Sequence, residues 1–226
     1  MKRERTEYAG HLLTELEPKS PLAEAFRVLR TNIQFAAVDR PLRSLLITSA
    51  GPAEGKSTTL ANLGVALAQS GARVIILDAD LRRPTQHKIF NLSRGAGVSS
   101  VVLGRASLEE ALQETGISGL RLLSSGPIPP NPSELLASQA FSSLLKEAEK
   151  EADYVLVDAP PVMAVADASI IAAQVDGVLL IVQLGVVARP MAVRAKEQLL
   201  AAKANLLGMV LTNAGVGGDY SYYYYY

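Results

Sequence analysis

The chain reads as a single α/β domain, a mostly parallel sheet with helices on both faces. Three observations predict it. The strand candidates are continuous apolar runs rather than alternating ones, so both of their faces are buried. They alternate with segments of helical periodicity. At 226 residues the chain is long enough for one large domain with a full core. No internal repeat and no linker divides it, so the expected organisation is a flexible segment 1–20, a domain 21–213 and a flexible tail 214–226.

Each element has its own justification. Ser20-Pro21 opens a helix, with Ser as the cap and Pro at the first helical position. Leu22, Ala25, Phe26, Leu29 and Ile33 then recur at helical spacing, and the helix runs to about Ala37. Leu42 to Thr48 is a buried strand, followed by a Gly-containing loop and a helix that ends near Ser70-Gly71. Arg73 to Leu77 is the second strand. Residues 79–132 are less regular, with short helical pieces, a strand near Leu120–Leu123 and a breaker cluster from Gly126 to Pro132. Ser133 to Lys150 reads as one helix, Tyr154 to Val157 as a strand, and Asp167 to Gln174 as a helix. Gly177 to Val182 is a strand, Pro190 to Ala204 a helix, and Leu207 to Thr212 the last strand. In such folds ligands bind beyond the C-terminal ends of the strands.

Composition excludes several classes. The 22 basic and 22 acidic residues balance, so no global charge draws the chain to nucleic acid or an acidic membrane. There is no cysteine, which excludes disulfides and thiolate chemistry. The charged start Met1-Lys2-Arg3-Glu4-Arg5 is not a secretory signal. No apolar run approaches the roughly 18 residues of a membrane span. The expectation is a soluble protein whose membrane attachment comes through a partner.

The first strand leads into Ala50-Gly51-Pro52-Ala53-Glu54-Gly55-Lys56-Ser57. The phosphate-loop pattern is G-x-x-x-x-G-K-[ST] between a strand and a helix. Ala50 replaces the first Gly and the rest fits. Small residues let backbone N–H groups curl around phosphate oxygens, and the helix N-terminus adds its dipole and open donors. Gly51 to Thr58 therefore form the candidate nucleotide cradle, with Lys56 toward the β- and γ-phosphates and the Ser57 hydroxyl toward Mg²⁺. Two further strands end in carboxylates, at Asp78-Ala79-Asp80 and at Asp158-Ala159-Pro160. A charge straight after a buried apolar strand needs a cation or donor to face. A parallel sheet puts all three on the rim of the phosphate loop, where Mg²⁺ takes oxygen ligands together with phosphate.

Six of the eight tyrosines, Tyr220, Tyr222, Tyr223, Tyr224, Tyr225 and Tyr226, lie in the last seven residues. A core would scatter and bury such rings. A terminal run of phenols is either a low-complexity end or a set of hydroxyls kept as phosphoryl acceptors. The nucleotide loop favours the second reading. Residues 214–226 extend to roughly 43–47 Å at most, so reach does not forbid transfer within one subunit.

Together the loop Ala50–Ser57, the motif Ile75–Arg82, the motif Val155–Pro160 and the terminal tyrosines resemble the bacterial tyrosine kinases. These are phosphate-loop enzymes that govern capsular and exopolysaccharide synthesis. The resemblance covers nearly the whole chain, and its motifs correspond to the family's Walker A, Walker A′ and Walker B. It implies ATP with Mg²⁺, metal contacts from Ser57, Asp80 and Asp158, and Asp78 as base for the phenol. It also implies that Glu24, Arg27 and Arg30, the Glu-x-x-Arg-x-x-Arg of the first helix, build the subunit interface of a homo-oligomeric ring. A salt-bridged solvated face is the other use of that spacing. Transfer between neighbours in the ring follows from the resemblance, as does a separate membrane-spanning activator that recruits the kinase to the inner face of the membrane. Asn213 has two readings, an adenine contact as in related folds or a turn residue. Arg82 and Arg83 either steady phosphate or acceptor, or lie in a solvated loop. The runner-up is a partitioning or division-type ATPase switch that phosphorylates no protein. Its second loop lysine is absent, because position 51 is Gly.

Overall fold

The computed structural model describes residue 12, residues 17–36 and residues 41–214. The tyrosines 220–226 and most of residues 1–20 lie outside the described residues. Helix α1 (Pro21–Ala36) starts as its residues dictate, with the Ser20 hydroxyl accepting the Ala23 N–H at 3.1 Å. Strand β1 (Ser44–Ser49) feeds helix α2 (Lys56–Ala68), and β2 (Val74–Asp78) follows. Three short helices come next, α3 (Gln86–Ile89), α4 (Val98–Val102) and α5 (Leu108–Ala111). Strands β3 (Gln113–Glu114) and β4 (Leu120–Leu123) precede α6 (Pro132–Leu136) and α7 (Gln139–Glu151). The chain closes with β5 (Tyr154–Asp158), α8 (Asp167–Ala172), β6 (Gly177–Gln183), α9 (Arg189–Ala201) and β7 (Leu206–Thr212).

The seven strands form one sheet in the order β3-β4-β2-β5-β1-β6-β7. All pairs are parallel except β3 with β4. Successive strand residues alternate between two cores. Leu45, Ile47, Ile76, Leu156, Leu179 and Ile181 pack with Leu60, Leu63 and Leu67 of α2 and Phe26 and Ile33 of α1. Leu46, Ile75, Leu77, Val157, Val178 and Leu180 pack with Phe141 and Leu145 of α7, Ile171 of α8 and Leu199 of α9. Both faces are dry around β1, β2, β5 and β6, which is why these strands read as unbroken apolar runs, but the edge strand β7 departs from the expected two-sided burial, with Met209 and Leu211 half-exposed. Each fully buried Leu, Ile or Phe stabilises the fold by about 1.5–3 kcal/mol through water release.

Two expectations need correction. The helix expected over Ser133–Lys150 is two helices. The Ser138 hydroxyl donates to the Leu135 carbonyl at 2.7 Å and accepts the Phe141 N–H at 3.2 Å, ending α6 and capping α7. Serine competes with the helix ladder in this way through its own side chain. Strand β3, two polar residues antiparallel to β4, was not expected within the irregular region.

Candidate active site

Strand β1 lies between β5 and β6, while β2 lies beyond β5. The chain therefore leaves β1 in one direction and returns to its other side later, which opens a crevice at the strand ends. The phosphate loop occupies that crevice. Gly55 has φ 84° and Ala53 φ 61°, and these left-handed residues curl the loop into α2. Gly55 serves that conformation because it has no Cβ to strain. No side chain caps the N-terminus of α2, so its first amides stay open to an anion. The loop is pinned from two sides. The Thr212 hydroxyl at the end of β7 donates to the Glu54 carbonyl at 2.9 Å. The buried Glu54 carboxylate turns back to accept the Gly51 N–H. Burial pushes the Glu54 carboxyl above its ordinary pKa, against the lowering effect of that amide.

Register brings the carboxylates together. Asp78 and Asp158 are direct partners in the β2–β5 pairing, and Asp158 also pairs with Ile47 of β1. All three acids are buried, with Asp78 and Asp158 at 0% and Asp80 at 4% exposure. The Lys56 ammonium meets Asp80 Oδ2 at 2.9 Å, Asp158 Oδ1 at 3.0 Å and Ser57 Oγ at 3.1 Å. Burial works to lower the Lys56 pKa, but the charges of Asp158 and Asp80 outweigh it and the net shift is upward. Asp80 also accepts the Arg83 N–H at 2.9 Å. Asp78 stands apart from the ammonium's hydrogen bonds. Its Oδ2 accepts the N–H groups of Thr85 and Gln86 at 3.1 and 3.0 Å. Burial, with the Asp158 charge second, drives the Asp78 carboxyl well above the carboxylate range.

Two carboxylates and a hydroxyl already converge on one cation, the ammonium. The donors are hard oxygens, which fits Mg²⁺. Among the described residues no three His, Cys, Asp or Glu side chains gather as a metal site. Water and phosphate oxygens would therefore complete any Mg²⁺ shell held by Ser57, Asp80 and Asp158.

The remaining candidates fall elsewhere. Asn213 is left-handed at φ 56° and donates to the Leu184 carbonyl at 3.3 Å, joining the ends of β7 and β6. Arg82 leaves the site, clasping the buried Asp167 carboxylate from Nε at 2.8 Å and Nη2 at 3.1 Å. In α1, Arg27 pairs with Glu24 at 2.6 Å, whereas Arg30 turns onto α2 and donates to the Ala66 carbonyl at 2.9 Å. The three residues therefore do not act as one exposed cluster within this subunit. Sequence reasoning missed Gln86, the inward turn of Glu54, and the triad of Arg82, Asp167 and Ser133. Of these only Arg82 stood out in the sequence, as a basic residue just after the Asp78-Ala79-Asp80 motif.

The fold and the site define an α/β phosphate-loop protein of the nucleotide-binding class. A family model described as AAA domain matches residues 51–202. Tyrosine-protein kinase YwqD of Bacillus subtilis is 45% identical over 95% of this chain and 91% of its own length. Tyrosine-protein kinase CpsD of Streptococcus agalactiae is 35% identical over 93% of each. The kinase domain of the Escherichia coli tyrosine kinase ETK superposes with TM-score 0.85 at 33% identity, over 92% of this chain and 84% of that one. The chimerical protein CapA2B2 gives TM-score 0.86 at 42% identity, over 89% and 88%. The cell division ATPase MinD of Pyrococcus furiosus shares the fold alone, with TM-score 0.65 at 24% identity over 75% and 71%. The chain belongs to the bacterial tyrosine-protein kinase family, and its enzyme class is protein-tyrosine kinase.

Proposed function

We propose that this chain transfers the γ-phosphoryl group of ATP to the tyrosines 220–226 of a neighbouring copy, and so regulates the synthesis and export of a capsular or extracellular polysaccharide. The observation that carries this reading is the convergence of Lys56, Ser57, Asp80 and Asp158 at the start of α2. Bound Mg²⁺ would supply divalent positive charge to the phosphates. Lys56 exchanges its carboxylate partners for phosphate oxygens and neutralises charge that develops during transfer. The amides of Gly51 to Thr58 hold the phosphates in place, so most of the rate enhancement is positioning and preset electrostatics. Ser57, Asp80 and Asp158 would hold the metal through their oxygens. Asn213, at the end of β7, contacts the adenine in this reading.

A phenol of pKa about 10 is protonated at neutral pH. Asp78 takes that proton as the phenol oxygen bonds to phosphorus and ADP leaves. Asp78 has no exposed surface, and its Oδ1, which has no hydrogen-bond partner, is the oxygen left to take the proton.

The first-helix residues Glu24, Arg27 and Arg30 build the interface with a neighbour in a homo-oligomeric ring: Glu24 and Arg27 are half-exposed and available to it, and Arg30 joins them by releasing the Ala66 carbonyl. No helix among the described residues is long and apolar enough to cross a membrane. A membrane-spanning activator brings the kinase to the inner face of the membrane in this reading. Nucleic acid has no part in this scheme.

A mixed-copy assay tests it. A donor lacking residues 215–226 is combined with full-length Lys56→Ala, ATP and Mg²⁺. Phosphotyrosine on the Lys56→Ala copy is the expected result. ADP release without phosphotyrosine on either copy would instead establish an ATPase switch.

A further inference from the structure

Gln86 is the first residue of α3 and has no exposed surface. Its side-chain Nε2 donates to two acceptors, the Ser57 carbonyl at 3.1 Å and Asp158 Oδ2 at 2.7 Å. Its backbone N–H donates to Asp78 Oδ2 at 3.0 Å. One residue thus ties the first turn of α2 to the ends of β5 and β2, three chain segments that converge only in the folded molecule.

The two oxygens of Asp158 are consequently distinct. Oδ2 is held by Gln86, and Oδ1 faces the Lys56 ammonium at 3.0 Å. A carboxylate torsion is soft and roughly two-fold, so an untethered Asp158 would swing between orientations. Carboxylates that serve cations are themselves hydrogen-bonded by a surrounding layer, and losing that layer costs about 10–100-fold in metal affinity.

We infer that Gln86 is a positioning residue for the magnesium nucleotide: its carboxamide fixes Asp158 so that Oδ1 faces the cation, and locks that orientation to the start of α2. The inference rests on the nucleotide-site reading above. A space-filling role accounts for the position less well. The buried Gln86 Oε1 has no hydrogen-bond partner, a desolvation cost that an apolar side chain of the same length would avoid. What such a side chain would lack is the pair of donated bonds.

The test is ADP affinity of the full chain measured by calorimetry with and without Mg²⁺, in wild type, Gln86→Met, Asp158→Asn and the double variant. Methionine keeps length and packing and removes the donor. The gain in ADP affinity on adding Mg²⁺ is expected to shrink about tenfold in Gln86→Met, while the metal-free affinity falls far less. In the Asp158→Asn background the Met substitution should have no further effect. A full Mg²⁺ gain in Gln86→Met overturns the inference, as does a loss that simply adds to that of Asp158→Asn. Should Gln86→Met lose metal-free binding altogether, Gln86→Asn replaces it. Its amide is one methylene too short to span both acceptors, and a full gain there overturns the inference equally. A wild type with no Mg²⁺-linked ADP binding fails differently, because it removes the nucleotide-site reading itself.

Discussion

Lys56 shows how one residue can be legible in sequence and still behave unexpectedly in the fold. Gly-Lys-Ser after a buried strand marks it, yet its ammonium rests on Asp80 and Asp158 rather than projecting into the crevice. The acids were legible for the same reason, since each ends an apolar run where a bare charge is costly. Asp167 was not. Its partner Arg82 is 85 residues away, and Ser133 is 34 away. Asp167 has 0% side-chain exposure, so removing its charge leaves Arg82 without its partner. Asp167→Asn should lower stability by about 2 kcal/mol in urea titration. It should also reduce tail phosphorylation, because Arg82 anchors the loop that carries Asp80. His87 offers a pH test. Its Nδ1 is buried without a hydrogen-bond partner, and burial first, then Arg94 and Lys88, hold its pKa below the ordinary 6.5. The unfolded chain therefore binds this proton more readily, and stability should fall as pH drops through about 6.5. The thermal midpoint should change less between pH 7.5 and 5.5 in His87→Asn than in wild type. An equal change in both would contradict the assignment.

At the scale of elements, the long buried strands and the helices around them were legible because two-sided burial writes itself as apolar runs. Boundaries set by single side chains were not. Ser138 looks like any serine in a helical stretch, and its role depends on turning to Leu135 and Phe141. Ser138→Ala should cost about 1 kcal/mol through the lost cap, read as a lower urea midpoint with unchanged slope. Strand β3 left no trace because two polar edge residues pair through backbone alone. The approach of Gly97 to the β4 end was equally hidden. A Cβ there would lie 2.1 Å from the Ser124 carbonyl oxygen. Gly97→Ala should therefore shift or destabilise the connection between α4 and β4, seen as faster amide exchange at Val98 and Ser99.

For the whole molecule, parallel topology was legible but strand order was not, because pairing between β2 and β5 joins segments some eighty residues apart. That order aligns Asp78 with Asp158 and lets distant motifs share a site. The proposed acceptor tail follows β7 in sequence, and Thr212 at the end of that strand grips the phosphate loop, so the last described residues lie beside the loop. Each phosphate adds about −1.5 to −2 charges to adjacent tyrosines. If the chain assembles as the proposed ring, repulsion between these charges should loosen it, so that the fully phosphorylated chain elutes as a smaller assembly than the unphosphorylated one; equal masses would contradict this. The decisive measurement is phosphopeptide mapping of the C-terminal fragment after incubating the full chain, with any activator it needs, in ATP and Mg²⁺. Phosphate on the tyrosines 220–226 in wild type, and none in Lys56→Ala, is the predicted result. Nucleotide consumption with those tyrosines unmodified would contradict it.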